Sequence, residues 1–220
     1  MRGALRKWAP SYFPLTSHFS PLTSYLLPSE LALDLLLMGP PGAGKGTQGA
    51  ILAQRLGLPK FATGDLLRDA VKQGTPLGRK AKAVMEAGHL VSDDIILGVV
   101  REELAKPNAA KGVVFDGVVR TVPQAEGVDR ILAEQGRALD AVLFFDVTDA
   151  ELLARLEKRR SIESRPDDDP KAVANRLLAY REQTAPVLAW YEDRGVVRHI
   201  PAIGSVDEVA ERVRHALNHA

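Results

Sequence analysis

From Leu33 onward, short apolar runs alternate with longer stretches in which apolar residues recur at helical spacing. The runs Leu33–Met38 (interrupted only by Asp34), Pro59–Ala62, Val113–Phe115, Ala141–Phe145 and Val196–Ile200 predict strands. Between them stand readable helix starts. Thr75-Pro76 offers a cap followed by a first-turn proline, and Ser92 precedes Asp93-Asp94-Ile95-Ile96. Pro123 opens a helix over 124–134, and Thr148 caps another over 149–160. Asp169-Pro170 opens a long helix towards Trp190, kinked at Pro186. Ser205-Val206-Asp207-Glu208 is a capping box for the last helix. Strands in strict alternation with helices predict an α/β fold, a five-stranded parallel sheet with helices on both faces. In such a sheet a ligand sits beyond the carboxyl ends of the strands.

Residues 1–30 follow a different pattern. They carry Arg2, Arg6 and Lys7 with many Ser, Thr and Pro, and no acidic residue before Glu30. A basic, Ser-rich, acid-poor leader fits an organelle transit segment, but Pro10, Pro14, Pro21 and Pro28 interrupt any long amphipathic helix. The other reading is a disordered appendage or translated upstream codons, and either way the leader belongs outside the fold. Residues 31–220 are then expected to form a single domain.

Composition narrows the classes further. A net charge of +1 supplies no basic field for nucleic acid, so no nucleic-acid partner is expected. The absence of Cys excludes disulfides, thiolate zinc sites and a cysteine nucleophile. No apolar run approaches the ~18 residues that would span a bilayer, so no membrane association is expected.

The candidate chemistry starts at Leu35–Gln48, where an apolar run breaks into Gly39-Pro40-Pro41-Gly42-Ala43-Gly44-Lys45-Gly46-Thr47 and a helical pattern follows. Strand, glycine-rich turn and helix form the context of a phosphate-binding loop. Backbone N–H groups curl round phosphate oxygens, the helix start adds its positive end, and Lys45 adds a point charge. Gly46 stands where the common loop pattern has Ser or Thr, and Thr47 follows. The third run ends Phe115-Asp116-Gly117. An Asp at that tip is placed to hold Mg²⁺ directly or through water, or to cap the next turn. Arginines form the second constellation. Arg155 and Arg159 share a helix face, Arg68 and Arg120 each follow a strand end, and Arg165 and Arg176 lie farther on. So many guanidinium groups suit transfer of a phosphoryl group between two phosphorylated substrates better than hydrolysis of one. Asp167, Asp168 and Asp169 either cap the next helix or hold those arginines in place.

Together, Gly-Pro-Pro-Gly-Ala-Gly-Lys-Gly-Thr-Gln, Thr63-Gly64-Asp65-Leu66-Leu67-Arg68, Gly88-His89-Leu90-Val91, Phe115-Asp116-Gly117, Arg120-Thr121 with Gln124, and Tyr180-Arg181-Glu182-Gln183-Thr184-Ala185-Pro186 resemble the adenylate kinase family. The likeness runs from about Leu33 to the C-terminus. It implies a P-loop nucleotide kinase with an AMP-binding insert at about 62–91 and a short lid at about 158–168. It implies reversible transfer from MgATP to AMP, with Mg²⁺ and no zinc, in a cytoplasmic monomer (or an organelle, if the leader is a transit segment). By that resemblance Gly42, Ala43, Gly44, Lys45, Gly46, Thr47, Arg159 and Val206 contact ATP. Thr63, Arg68, His89, Leu90, Val91, Gly117, Val118, Val119, Arg120, Gln124, Arg165 and Arg176 contact AMP. Lys45, Arg120, Arg155, Arg165 and Arg176 carry catalysis, and Asp116 and Asp65 reach Mg²⁺ through water.

Gln124 favours AMP, because an amide offers a donor and an acceptor to an adenine edge, whereas relatives acting on UMP or CMP typically have Asn nearby. A GTPase would want Asp-x-x-Gly and Asn-Lys-x-Asp elements, and neither follows Lys45. One departure stands out: the family's Asp-Gly-Phe-Pro-Arg-Thr reads Asp116-Gly117-Val118-Val119-Arg120-Thr121. If the bend depends on that proline, Arg120 is expected off its usual place with weaker AMP binding, and in the extreme a nucleotide-binding protein without catalysis.

Overall fold

The structure is a computed structural model that describes residues 32–87, 89–163 and 169–218. The sheet is five-stranded and parallel throughout: β1 (Leu33–Met38), β2 (Lys60–Ala62), β3 (Gly112–Asp116), β4 (Ala141–Asp146) and β5 (Val197–Pro201), in the order β2-β3-β1-β4-β5. β1 lies at the centre, with Leu35 opposite Val114 on one side and Ala141 on the other. Every predicted strand is therefore present.

Both faces of the sheet are buried, as a parallel sheet requires. Successive side chains point to opposite faces. Leu36 and Met38 join Phe115 and Val142 in one core, and Leu35 and Leu37 join Val114, Leu143 and Phe145 in the other. The first core is covered by α4 (Asp93–Leu104), α5 (Val122–Ala133) and α8 (Ala185–Glu192). The second is covered by α1 (Lys45–Leu56), α6 (Asp149–Glu163) and α9 (Val206–Asn218). Asp34, the one interruption of the first apolar run, is fully buried and paired with Arg137, whose Nε donates to Asp34 Oδ2 at 2.8 Å. Between β2 and α4 the chain forms α2 (Thr63–Lys72) and α3 (Pro76–Glu86).

Most predicted caps appear as hydrogen bonds. Thr75 Oγ1 accepts from Gly78 N at 3.1 Å and Thr148 Oγ1 from Glu151 N at 3.4 Å. Ser205 and Glu208 bond reciprocally, Ser205 N to Glu208 Oε2 at 2.7 Å and Glu208 N to Ser205 Oγ at 3.3 Å. Ser92 makes no side-chain cap bond. The long helix expected after Asp169 is divided into α7 (Pro170–Ala179), a π turn over Tyr180–Thr184, and α8. Pro186 lacks an N–H and its ring would press on the carbonyl four residues back, and the widened turn absorbs both defects. The leader and part of the segment expected to be a lid lie outside the described residues.

Candidate active site

Every strand's carboxyl end opens on one side of the sheet, and the loop after β1 sits at its centre. Gly44 takes φ 92° immediately before α1, a left-handed conformation that costs glycine nothing. Gly39 passes so close to β4 that a Cβ there would stand 2.9 Å from the Phe145 carbonyl oxygen. The turn thus aims the first-turn N–H groups of α1 at the cleft, where they attract anions.

Lys45 Nζ donates to the carbonyl oxygens of Gly39 at 2.7 Å and Pro40 at 2.9 Å. Its pKa is lowered to about 8, chiefly by burial. Asp116 opposes the shift, and Arg120, Arg176 and Arg159 add to it by repulsion. This concentration of positive charge is what a polyphosphate would neutralise.

The cleft beyond the loop encloses about 490 Å³. It is lined by Gly42, Gly44, Lys45, Gly46 and Thr47 from the loop, and by Arg68, Arg120, Arg155, Arg159 and Arg176. Those guanidinium groups come from α2, the β3–α5 connection, α6 and α7. The arginines scattered through the sequence therefore face the same space as Lys45. Arg165, Asp167 and Asp168, expected beside them, lie outside the described residues. Arg155 is held by Glu151 Oε1 at 2.7 Å and donates to the Ala202 carbonyl at 2.9 Å.

Two smaller hollows run into this cleft from opposite sides. One, of about 60 Å³, shares Gly64, Arg68, Gly117, Arg120 and Arg176 with it and adds Thr63, His89, Leu90, Val91, Val118 and Gln124. The other, of about 380 Å³, shares Gly44, Thr47 and Arg155 and adds Ala43, Gly204 and Val206. Val119 lies elsewhere: it is buried and lines a third hollow with Tyr180 and Thr184 rather than the one holding Gln124.

The replacement of Phe-Pro by Val118-Val119 does not carry Arg120 away from the cleft. Arg120 N donates to Gln124 Oε1 at 2.8 Å, its carbonyl accepts from Thr184 Oγ1 at 2.9 Å, and its Nε donates to the Gly117 carbonyl at 2.9 Å. Two side chains clamp its peptide groups and its own side chain folds back on the turn, so its place does not depend on a proline. Among the described residues no peptide bond is cis.

Asp116 ends β3 beside the loop, where a Cβ on Gly46 would stand 3.5 Å from Asp116 Oδ2. Lys60 Nζ lies 3.6 Å from Asp116 and 3.7 Å from Asp65. Lys60 belongs to no motif, and only its place at the start of an edge strand beside the loop marks it. Among the described residues no group of three His, Cys, Asp or Glu is arranged to hold a metal. Gln48 closes the loop motif, but nothing in the motif marks its partner: buried on α1, it donates from Nε2 to the Val206 carbonyl at 2.8 Å and fixes the start of α9 against the loop helix.

A parallel sheet of this order, a glycine-rich phosphate loop after its central strand and a cationic cleft between two hollows define the P-loop nucleotide kinases. The family model for adenylate kinase matches residues 37–196. The chain is 49% identical over 209 residues to an adenylate kinase of Gemmatimonas aurantiaca, covering 83% of this chain and 98% of that one. It is 48% identical over 188 residues to one of Thermus thermophilus (86% and 98%) and 44% over 212 residues to one of Trichlorobacter lovleyi (84% and 99%). This chain belongs to the adenylate kinase family.

Proposed function

We propose that the chain moves the γ-phosphoryl group of ATP reversibly to AMP along the arginine-lined cleft. The bond from the γ-phosphorus to the β-bridging oxygen breaks, one to an AMP phosphate oxygen forms, and two ADP result. The acceptor oxygen is already anionic, so no side chain need remove a proton. Catalysis is positioning and charge neutralisation. The single observation that carries this reading is the convergence of Lys45, Arg68, Arg120, Arg155, Arg159 and Arg176 on one cleft with a hollow at each side.

In this reading the ATP phosphates lie on the loop 42–47, and the base occupies the hollow lined by Ala43, Gly204 and Val206. AMP takes the hollow of Thr63, Val91 and Gln124, its phosphate meeting Arg68, Arg120 and Arg176. Lys45 follows the transferred group, and Arg155 and Arg159 neutralise the donor side. Arg165 would join from the lid.

The carboxylates present suit Mg²⁺. It prefers oxygen ligands, keeps much of its water and is usually held by one or two carboxylates plus substrate phosphates. Asp116 and Asp65 both line the cleft and would hold it through water. The ion would supply positive charge to the phosphates. The segment 62–91, built on α2 and α3, would close over AMP and a short lid at 158–168 over ATP, excluding water. We assign the work to a monomer in the cytoplasm, or in an organelle if residues 1–30 direct it there.

A coupled assay of ADP formation by the full chain, with MgATP and each of AMP, CMP, UMP and GMP, tests the reading. The expected result is turnover with AMP far above the other three. Preference for CMP or UMP, or ATP consumption independent of any monophosphate, would overturn it.

A further inference from the structure

Asp93 opens α4 just after the His89–Val91 stretch of the smaller hollow, yet its carboxylate is turned towards α5. Its Oδ1 accepts from Gln124 Nε2 at 2.8 Å and from Thr121 Oγ1 at 3.1 Å. The Thr121 hydroxyl oxygen is meanwhile occupied by Gln124 N, so its hydrogen is directed at Asp93. On its far side Gln124 Oε1 accepts from Arg120 N at 2.8 Å. The amide of Gln124, buried in the wall of the hollow, thus lies between a carboxyl oxygen that accepts and a backbone N–H that only donates. One of its two orientations satisfies both neighbours. The flipped one sets oxygen against carboxylate and N–H against N–H. The fixed orientation leaves one N–H and one oxygen lone pair for a ligand, in a set order.

We propose that Asp93 is a positioning residue for base selection: by fixing the Gln124 amide it makes the hollow accept a 6-aminopurine and refuse a 6-oxopurine. Adenine presents a donor at its 6-amino group beside an acceptor ring nitrogen. Hypoxanthine has nearly the same shape and reverses the order, with an acceptor oxygen beside an N–H. A freely rotating amide serves either base, and a locked one serves the first. The inference rests on the assignment of this hollow to the base of AMP.

The test compares kcat/KM for AMP and for IMP at saturating MgATP. The proteins are the wild type, Asp93→Ala, Asp93→Asn, Gln124→Ala and the double variant Asp93→Ala/Gln124→Ala. Loss of a mismatched hydrogen bond as the basis of rejection predicts that Asp93→Ala lowers the AMP-to-IMP ratio by about tenfold or more. Asp93→Asn, whose Oδ1 still accepts, should retain most of the ratio, and the KM for ATP should not follow these changes. On the Gln124→Ala background, Asp93→Ala should change the ratio no further. Should the alanine variant fail to fold, Asp93→Ser replaces it, being polar at the helix start but too short to reach Nε2. A wild-type ratio in Asp93→Ala (or in Asp93→Ser where it takes its place), or an equal fall on both backgrounds, overturns the positioning role. An unchanged ratio in Gln124→Ala overturns the assignment of the hollow to the base, a different failure.

Discussion

Lys45 shows how a side chain proposed to serve the reaction would do so at a cost to the fold. Its ammonium sits on two loop carbonyls, half-buried and repelled by Arg120, Arg176 and Arg159, and its pKa falls to about 8. The unfolded chain, with an ordinary lysine pKa, keeps its proton longer. Stability from this group is therefore present above the ordinary lysine range and lost as the pH falls through about 8. At neutral pH the charged lysine weakens the fold, and in the proposed function it would strengthen phosphate binding. Two results are expected. ATP affinity measured by calorimetry should fall as pH rises through about 8, by up to about tenfold per unit, because the ammonium is lost unless phosphate retains it. A flat profile between pH 7 and 9.5 would refute this. Lys45→Met should lower kcat on the order of a thousandfold and abolish the pH dependence, while its midpoint in urea at pH 7 should not drop. The presence of this lysine was legible from Gly44-Lys45-Gly46-Thr47; its lowered pKa was not, because the arginines that repel it lie 75 to 131 positions farther along the chain.

At the scale of elements, the strands were readable because both faces of a parallel sheet demand apolar residues, and the helices because their first turns need caps. What stayed hidden were bonds between distant elements. Asp34 reads as a flaw in β1, yet it is buried against Arg137, and Asp34 N donates to Asp140 Oδ2 at 2.6 Å. Nothing local marks a partner 103 positions away. Burial raises the Asp34 pKa more than Arg137 lowers it, so the stability from its shift is present at low pH and lost as the pH rises through its folded value. Arg137→Met should cost about 3–5 kcal/mol by stranding a buried charge, and adding Asp34→Val should recover most of it. Denaturant titration of the three proteins at pH 7 reads the difference, and a double variant as weak as Arg137→Met would contradict the pairing. The π turn had a similar fate. Pro186 announced a bend, but not that Thr184, at the end of the π turn, reaches back to the Arg120 carbonyl. Thr184→Val should cost about 1–3 kcal/mol by removing that carbonyl's donor. It should also raise the KM for AMP more than that for ATP. Equal effects on both would separate the clamp from the AMP side.

At the scale of the whole molecule, the loop and the arginines told the class of chemistry because phosphate needs backbone N–H groups and cations whatever the fold around them. The division of the cleft into a hollow at each side was not legible in the same way. It depends on which elements meet, and residues without motifs, such as Lys60 and Asp93, occupy the seams. The two ends of the cleft are also built differently. The sheet and its loop are anchored by two buried cores, whereas α2 and α3 contact chiefly each other and give the first core only Leu67 and Ala81 as buried members, with Asn175 of α7 donating to the Ala87 carbonyl at 2.9 Å. A segment so lightly tied opens at lower free energy than the sheet, and ligands that bridge it to the core shift that equilibrium towards the closed form. Hydrogen exchange with saturating ATP, Mg²⁺ and AMP together should therefore slow α2, α3 and the 158–163 end of α6 strongly, with little change in β1, β3 and β4. ATP alone should protect the α6 end and leave α2 and α3 near their unliganded rates. Uniform protection by ATP alone would mean that the two hollows close as one body, and water would then be excluded before the acceptor arrives.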